Sequence, residues 1–219
     1  MPISNNNARP TDSHNVQQRL LDAAEQLFSE NGFKATTIRK IAKTAKCNVA
    51  AANYYFGSKE KLYLEVWRRQ FLRLRNARLK SIQEAIDESK GKPELEKLLE
   101  FFARAFVGPL INSNEQSDRL MKLIAYEMSE QQLPANMFIE EVVKPTTAAM
   151  REALTKTCPG VDESKIPLMI FSLVGQLAHI LWVKTMFGRT GDKEMAIKLD
   201  EAVEHIVKFS AAGICSYTK

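Results

Sequence analysis

Apolar residues recur at helical spacing along nearly the whole chain. Between residues 16 and 30, Leu20, Ala24 and Phe28 fall on one face of a helix. From residue 59 to about residue 89, apolar positions continue at helical intervals without a helix-breaking residue. The pattern therefore predicts an amphipathic N-terminal helix and, after an interval of about thirty residues, one long helix.

Two shorter apolar patterns lie in that interval. Ile38, Ile41 and Ala45 follow i, i+3, i+7 spacing over about two turns, and Asn48 is suited to cap a second short helix over residues 49–56. Two short helices joined by a tight turn have the spacing of a helix-turn-helix. In such a motif the second helix enters the major groove of DNA, with its N-terminal residues facing the base edges.

Beyond residue 90 the alternation typical of strands is absent, so the remainder is predicted to be helical and the fold class all-α. Helices are expected at about residues 93–106, 118–129, 134–157 with a break or kink at Pro145, 164–187 and 193–212. Three parts follow from these patterns: a disordered tail over residues 1–14, a helix-turn-helix domain over 15–62, and a helical domain over 63–219.

Charge separates the two ends of the chain. Residues 1–80 hold 15 Lys and Arg against 6 Asp and Glu, a net charge of +9, whereas residues 81–219 hold 16 against 20, a net charge of −4. A basic module joined to a mildly acidic one indicates a polyanion partner at one end only. Most cations of the long helix are interpreted as a solvated face. The cations in question are Arg68, Arg69, Arg73, Arg75, Arg78 and Lys80.

Several classes of protein are disfavoured. The sequence contains no unbroken run of eighteen apolar residues, so it predicts no membrane span. The polar start lacks the apolar core of a secretory signal. A cytoplasmic location is therefore expected. Cys47, Cys158 and Cys215 are far apart and odd in number, which argues against a disulfide framework and a zinc site. Idle thiols are the expectation, with a redox-sensing thiol as the alternative.

Catalytic chemistry has no evident basis in the sequence. No Ser or Cys has a recognisable base partner, and neither a phosphate-cradling glycine loop nor an H-E-x-x-H motif occurs. Glu201 and His205 lie four residues apart on one predicted helix, but a metal site needs further ligands. The chain is therefore expected not to be an enzyme, and neither a cofactor nor a metal is predicted.

Four short motifs stand in and around the helix-turn-helix pattern. They are AEQLF at Ala24 to Phe28, NGF at Asn31 to Phe33, TTIRKIA at Thr36 to Ala42, and YYFGSKEKL at Tyr54 to Leu62. Over residues 18–67 the chain thereby resembles the DNA-binding domain of the tetracycline-repressor (TetR) family of bacterial transcriptional regulators. The resemblance implies binding to double-stranded DNA through the helix-turn-helix.

Candidate DNA-contacting residues follow from the motif geometry and from the resemblance. Asn53 can pair with adenine, alanine methyls can contact thymine, and Arg39 can reach a guanine edge or a phosphate. Thr36, Thr37, Tyr54 and Lys59 match positions where the family commonly contacts phosphate. The complete predicted set is Thr36, Thr37, Arg39, Asn48, Val49, Ala50, Ala51, Asn53, Tyr54 and Lys59.

The second half is expected to hold an effector pocket, which the resemblance implies. Residues from about 120 to 182 are similar to the CecR (YbiH) branch of the family. Methionine and aromatic side chains suit a small, largely apolar ligand, with a few polar anchors, although most such residues form plain core. The predicted effector-binding residues are Phe102, Phe106, Met121, Tyr126, Met128, Phe138, Gln176, His179 and Trp182.

The last two predicted helices are expected to form the dimer interface. One stripe of the helix predicted over residues 164–187 is too apolar for a free surface, although the core of a single chain could bury much of it. The stripe consists of Ile166, Ile170, Leu173, Leu177, Ile180 and Leu181. A homodimer would also supply the two-fold symmetry with which helix-turn-helix proteins meet two half-sites.

The function predicted from these features is that of a homodimeric DNA-binding regulator. It would repress transcription from a palindromic operator and be released by a small effector that acts through the long helix. One alternative is an activator or a regulator without an effector. The other is a helical carrier or enzyme whose basic end is incidental.

Overall fold

The computed structural model describes residues 10–91, 93–112, 114–187 and 198–218. Within these ranges the regular structure is helical, and the only β-type pairing is an isolated bridge between Val161 and Thr218. The helices are α1 Pro10–Ala35, α2 Ile38–Thr44, α3 Val49–Phe56, α4 Lys59–Glu88, α5 Leu95–Ile111, α6 Glu115–Glu130, α7 Lys144–Thr157, α8 Ile166–Phe187 and α9 Leu199–Cys215. A π-helical segment, Ile139–Val143, precedes α7, and a 3-10 turn, Glu163–Lys165, precedes α8.

Short polar side chains set the starts of three helices. Thr37 accepts a hydrogen bond from the Lys40 backbone N–H at 3.3 Å and so caps α2. Asn48 caps α3 through its side-chain oxygen, 2.6 Å from the Ala51 nitrogen. Asn114 caps α6 in the same way. Each cap satisfies a backbone donor that lacks a partner within its helix.

The chain forms two compact units. The N-terminal unit contains residues up to 70 together with residues 114–134, and the C-terminal unit contains residues 71–113 and 135–219. Helices α1 to α3, the first part of α4 and all of α6 therefore belong to one unit. The sequence had assigned α6 to the C-terminal domain, with a boundary at residue 62.

Each unit has its own core. In the N-terminal unit the rings of Phe28, Phe33 and Tyr63 pack with centroids 4.9–6.0 Å apart, beside fully buried Leu20 and Ile41. In the C-terminal unit the later part of α4, α5, α7, α8 and α9 enclose a continuous apolar cluster. Its buried members include Ile82, Leu98, Phe102, Met150, Leu173 and Val207.

Several helix ends differ from the sequence prediction. Helix α1 begins at Pro10, so residues 10–14 are helical and not part of a disordered tail. Helix α5 continues through Pro109, because a proline in the last turn removes only one backbone hydrogen bond. The break expected at Pro145 appears as the π-helical segment before it, and the predicted start of the last helix at 193 lies outside the described residues.

Helix α8 and the turn before it are unusually apolar. Glu163–Val183 is long enough to cross a membrane, with a mean hydropathy of 1.8 in an 18-residue window that is 33% buried inside the chain. No unbroken apolar run revealed this in the sequence. Length and composition alone are weak evidence of membrane insertion, because the core helix of a soluble protein passes the same test.

Candidate nucleic-acid interface

Helix α3 has one buried and one exposed face. Ala52 and Phe56 are buried against the N-terminal unit, so Phe56 and not Tyr55 is the aromatic that anchors the helix. On the outer face Ala50 and Asn53 are exposed, and Tyr54 is 82% exposed. The side chains predicted to read base edges therefore lie together on a free surface.

Most of the predicted set shares this surface, and Ala51 is half-buried. The exposed members are Thr37, Arg39, Asn48, Val49, Ala50, Asn53 and Tyr54.

Thr36 is not on the surface. Its side chain is buried, and its hydroxyl donates to the backbone carbonyls of Gly32, at 2.7 Å, and Leu27, at 3.1 Å. The predicted phosphate contact of this hydroxyl is therefore incompatible with the structure, because the oxygen is enclosed and its donor is already used. Thr36 instead holds the end of α1 to the start of α2.

Lys59 is turned inward as well. Its ammonium donates to the carbonyls of Phe33, at 3.1 Å, and Thr36, at 3.2 Å, and lies 4.0 Å from the centroid of the Phe33 ring. The half-buried side chain thus stabilises the turn between α1 and α2. A phosphate contact by this ammonium would require these interactions to break.

Five exposed lysines that the sequence analysis did not name as DNA contacts lie close to α3 along the chain, together with Arg39. Residues 34–61 contain seven Lys and Arg against one Glu, a net charge of +6. Six of the seven cations are exposed, namely Lys34, Arg39, Lys40, Lys43, Lys46 and Lys61. The excess of positive charge in residues 1–80 was the sequence signal for these cations. Exposed cations near a helix-turn-helix bind phosphates without regard to base sequence.

Helix α6 is fastened to the helix-turn-helix unit by polar contacts. The Glu130 carboxylate accepts from the Phe33 backbone N–H at 2.8 Å, and the Tyr126 hydroxyl donates to the Glu30 carbonyl at 3.1 Å. The Tyr63 hydroxyl donates to Glu127 at 2.8 Å, and burial together with this carboxylate raises the pKa of Tyr63. Tyr126, predicted as an effector anchor, is thereby engaged with α1.

The predicted effector-binding residues do not form one site. Phe102 and Phe106 lie in the core of the C-terminal unit, and Phe138 packs against Phe71 there. Three others, Gln176, His179 and Trp182, lie on the side of α8 that faces away from this core, and Gln176 and His179 line an open groove with α9. The remaining three, Met121, Tyr126 and Met128, lie on α6 in the N-terminal unit.

The predicted dimer residues are buried within a single chain. All six belong to the core of the C-terminal unit, so their burial needs no partner; they are Ile166, Ile170, Leu173, Leu177, Ile180 and Leu181. The exposed apolar residues of the same two helices are different ones. They are Leu168, Phe171, Trp182 and Phe209, called the outer α8–α9 face below.

Comparison with known families agrees with this architecture. Residues 20–66 match the bacterial regulatory proteins of the tetR family, and residues 104–213 match a tetracyclin repressor-like C-terminal domain. The second match alone spans half of the chain. This chain belongs to the TetR family. It is accordingly a DNA-binding transcriptional regulator with a helix-turn-helix, and the N-terminal match spans α2, α3 and most of α1.

Individual TetR-family relatives match along most of the chain. The HTH-type transcriptional dual regulator CecR of Shigella flexneri is 28% identical over 194 residues, which cover 85% of each chain. A TetR-family regulator from Mesorhizobium loti has a TM-score of 0.66 at 17% identity, covering 93% of this chain and 96% of its own. The fatty acid degradation regulator FadR of Bacillus halodurans has a TM-score of 0.58 at 18% identity, covering 89% and 94%. The two structures show a shared fold.

TetR-family membership also bears on whether catalytic, metal or thiol chemistry is expected of this chain. The family is one of transcriptional regulators and not of enzymes. In the part of the chain that the structure describes, no three His, Cys, Asp or Glu side chains come together as a possible metal site. Cys158 is buried and Cys215 exposed, and burial raises the pKa of the Cys158 thiol, which disfavours its reactive thiolate.

Proposed function

We propose that this chain is a homodimeric transcriptional repressor that binds a palindromic operator and is released by a small effector held in the C-terminal unit. The observation that carries the proposal is the outer face of α3, where Ala50, Asn53 and Tyr54 are exposed amid a surrounding net positive charge. Small and hydrogen-bonding side chains suit contact with base edges, while the cations suit phosphates.

The homodimer is inferred from the outer α8–α9 face. Phe171 is 76% exposed and Phe209 64% exposed, with Leu168 and Trp182 nearby on the same helices. Large aromatic side chains on an open surface mark a protein contact. A second copy of the chain is the occupant proposed, because a two-fold axis through this face would pair two helix-turn-helix units for two half-sites.

Release by an effector is inferred from how the chain runs between its two units. The chain crosses between the two units at three places: within α4, in the segment just before α6, and in the segment just after α6. Ligand binding that moves α4 or α5 therefore acts on covalent connections to the DNA-binding unit. For release, the effector must bind the DNA-incompetent state more tightly than the competent state. A regulator of this kind acts where the chromosome lies, in the cytoplasm.

The test uses DNA from upstream of the chain's own gene, because such regulators often control themselves or a neighbour. Fluorescence anisotropy should show binding to a fragment that contains an inverted repeat, with an affinity that falls steeply as salt increases. A fragment with one half-site scrambled is the control and should bind more weakly. Equal binding to both fragments would contradict operator recognition by a dimer.

Activation is a second candidate, favoured by one observation. CecR, which matches over 85% of the chain, is named a dual regulator. A reporter gene driven by the bound promoter separates the two modes, since deletion of the regulator raises expression under repression and lowers it under activation.

A further inference from the structure

Arg78 occupies an apolar position of α4. Leu74 and Ile82, one turn to either side of it, are both buried, and Arg78 lies on the same helical face. Only 6% of this arginine is exposed. The side chain thus lies inside the C-terminal unit and not on the solvated face predicted for most cations of this helix.

No anionic side chain among the described residues pairs with this buried charge. Among the described residues the Arg78 guanidinium makes no hydrogen bond or ion pair, and its Nε is buried without a partner. Its neighbour is the face of the Phe106 ring, 4.2 Å from the guanidinium carbon to the ring centroid. Burial lowers the pKa of Arg78 to about 10, so the group remains a cation at neutral pH.

A buried cation without a counter-charge destabilises the folded chain when no ligand is bound. Removing a charge from water without a partner is costly, and one cation–π contact offsets only part of that cost. Elsewhere in the chain a comparable arginine is paired: Arg69, also largely enclosed, forms ion pairs with Asp22 and Glu25. Arg78 has no such partner within the part of the chain that the structure describes, so its position is explained by a group that this part does not itself provide.

The surroundings of Arg78 are aromatic and apolar. Phe106 and Phe102 pack together with ring centroids 6.2 Å apart, and at the other end of this α4 face Phe71 packs against Phe138 at 5.4 Å. A second buried polar atom without a partner, the hydroxyl of Thr146, lies on α7. It precedes by one turn Met150, which shares the core cluster of Phe106.

We propose that the C-terminal unit binds an organic anion, a carboxylate carried on an apolar body, with Arg78 as its counter-charge. The guanidinium matches the planar carboxylate and the aromatic side chains contact the apolar body. This inference rests on the proposed effector function and defines the ligand's chemical class.

The first experiment compares matched acids and amides on the full chain. Octanoate with octanamide, and 4-phenylbutyrate with 4-phenylbutanamide, are titrated calorimetrically against the wild type, Arg78→Gln and Arg104→Gln. The wild type should bind each acid about tenfold or more tightly than its amide, since a charge-assisted hydrogen bond is lost with the amide. Arg78→Gln should abolish that preference. Arg104→Gln, which alters an exposed arginine of α5, should retain it.

The second experiment needs no ligand. Arg78→Met replaces the cation by an apolar side chain of similar length, and the melting temperature of the ligand-free chain should rise by about 2–4 °C or more. If Arg78 only stabilised the fold, Arg78→Met would lower the melting temperature. A fall in melting temperature with Arg78→Met would therefore overturn the inference, as would a wild type that binds acids no better than amides or binds no acid at all.

The operator assay separates this inference from the function on which it rests. Acids that bind through Arg78 without releasing operator DNA would leave the anion site standing and contradict effector release. If neutral compounds release the DNA and acids bind no more tightly than they do, effector release would stand and the anion site at Arg78 would be contradicted.

Discussion

Gly32 lies at a kink near the end of α1, where its backbone has a φ of +75°. A Cβ placed there would lie 2.8 Å from Cδ1 of Tyr126, a distance that real Cβ contacts do not show. Both the backbone conformation and the close approach of α6 therefore require glycine. Gly57 has nearly the same φ, +76°, but its Cβ would meet nothing nearer than 3.6 Å.

Alanine should be unfavourable at both positions and more so at Gly32. Gly57→Ala adds backbone strain at φ +76° and ψ −54° without a close contact, and should lower the free energy of unfolding by about 1–3 kcal/mol. Gly32→Ala combines backbone strain at φ +75° and ψ 176° with the clash against Tyr126, and its loss should be larger by about 1–3 kcal/mol. Urea denaturation measures both losses, and a Gly32→Ala loss no larger than that of Gly57→Ala would contradict the clash.

Asn53 and Lys43 should differ in how they contribute to DNA binding. Asn53→Ala should relax preference at one base position of each half-site by about 1–3 kcal/mol. Lys43→Ala should weaken binding to every sequence and reduce the salt slope by about 1 per half-site. Anisotropy with a panel of single-base operator variants, at several salt concentrations, distinguishes the two. Lys156→Ala, an exposed lysine of α7, is the control and should change neither quantity.

Helix α6 acts as a structural part of the DNA-binding unit. Its last turn presents Glu130 to the backbone nitrogens of Phe33 and Lys34, at 2.8 and 3.4 Å, just before the helix-turn-helix begins. Tyr126 and Glu127 add the contacts to Glu30 and Tyr63. Movement of α6 would therefore disturb the segment that positions α2 and α3.

Glu130→Ala should loosen this attachment. Losing the acceptor leaves backbone donors of a packed segment unsatisfied, so the free energy of unfolding should fall by about 1–3 kcal/mol. Hydrogen exchange at the Phe33 amide should accelerate along with it. The control, Glu152→Ala, removes an exposed carboxylate paired with Lys156 one turn away and should leave the stability of the chain essentially unchanged. A Glu130 variant as stable as this control would argue against the attachment.

At the scale of the whole molecule, the outer α8–α9 face presents three exposed aromatic side chains, Phe171, Trp182 and Phe209. The double variant Phe171→Glu with Phe209→Glu puts like charges where a partner is proposed to pack, and it should sediment as a monomer. Its operator affinity should fall about a hundredfold or more, because each monomer then binds one half-site alone. Met128→Glu is the matched control, since Met128 on α6 is likewise 76% exposed. A double variant that remains dimeric would place the interface elsewhere.

Local pattern was sufficient for much of the fold and part of the DNA-binding surface. The helix-turn-helix, its Asn48 cap and the outer position of Asn53 follow from spacing within a few residues. Thr36 and Thr37 show the limit, because two adjacent hydroxyls at a helix start look alike in sequence. Only the end of α1 decides that Thr36 is enclosed while Thr37 caps α2.

The sequence by itself determined that this chain is all-helical, where its DNA-reading helix lies, and which end is basic, since each depends on neighbouring residues or summed charge. Tertiary structure alone decided that α6 joins the DNA-binding unit, that Phe171 and not Ile170 is exposed on α8, and that Arg78 is buried. The physical reason is shared. A helix that is apolar on every side does not reveal which face is inside, and burial depends on residues that are distant along the chain.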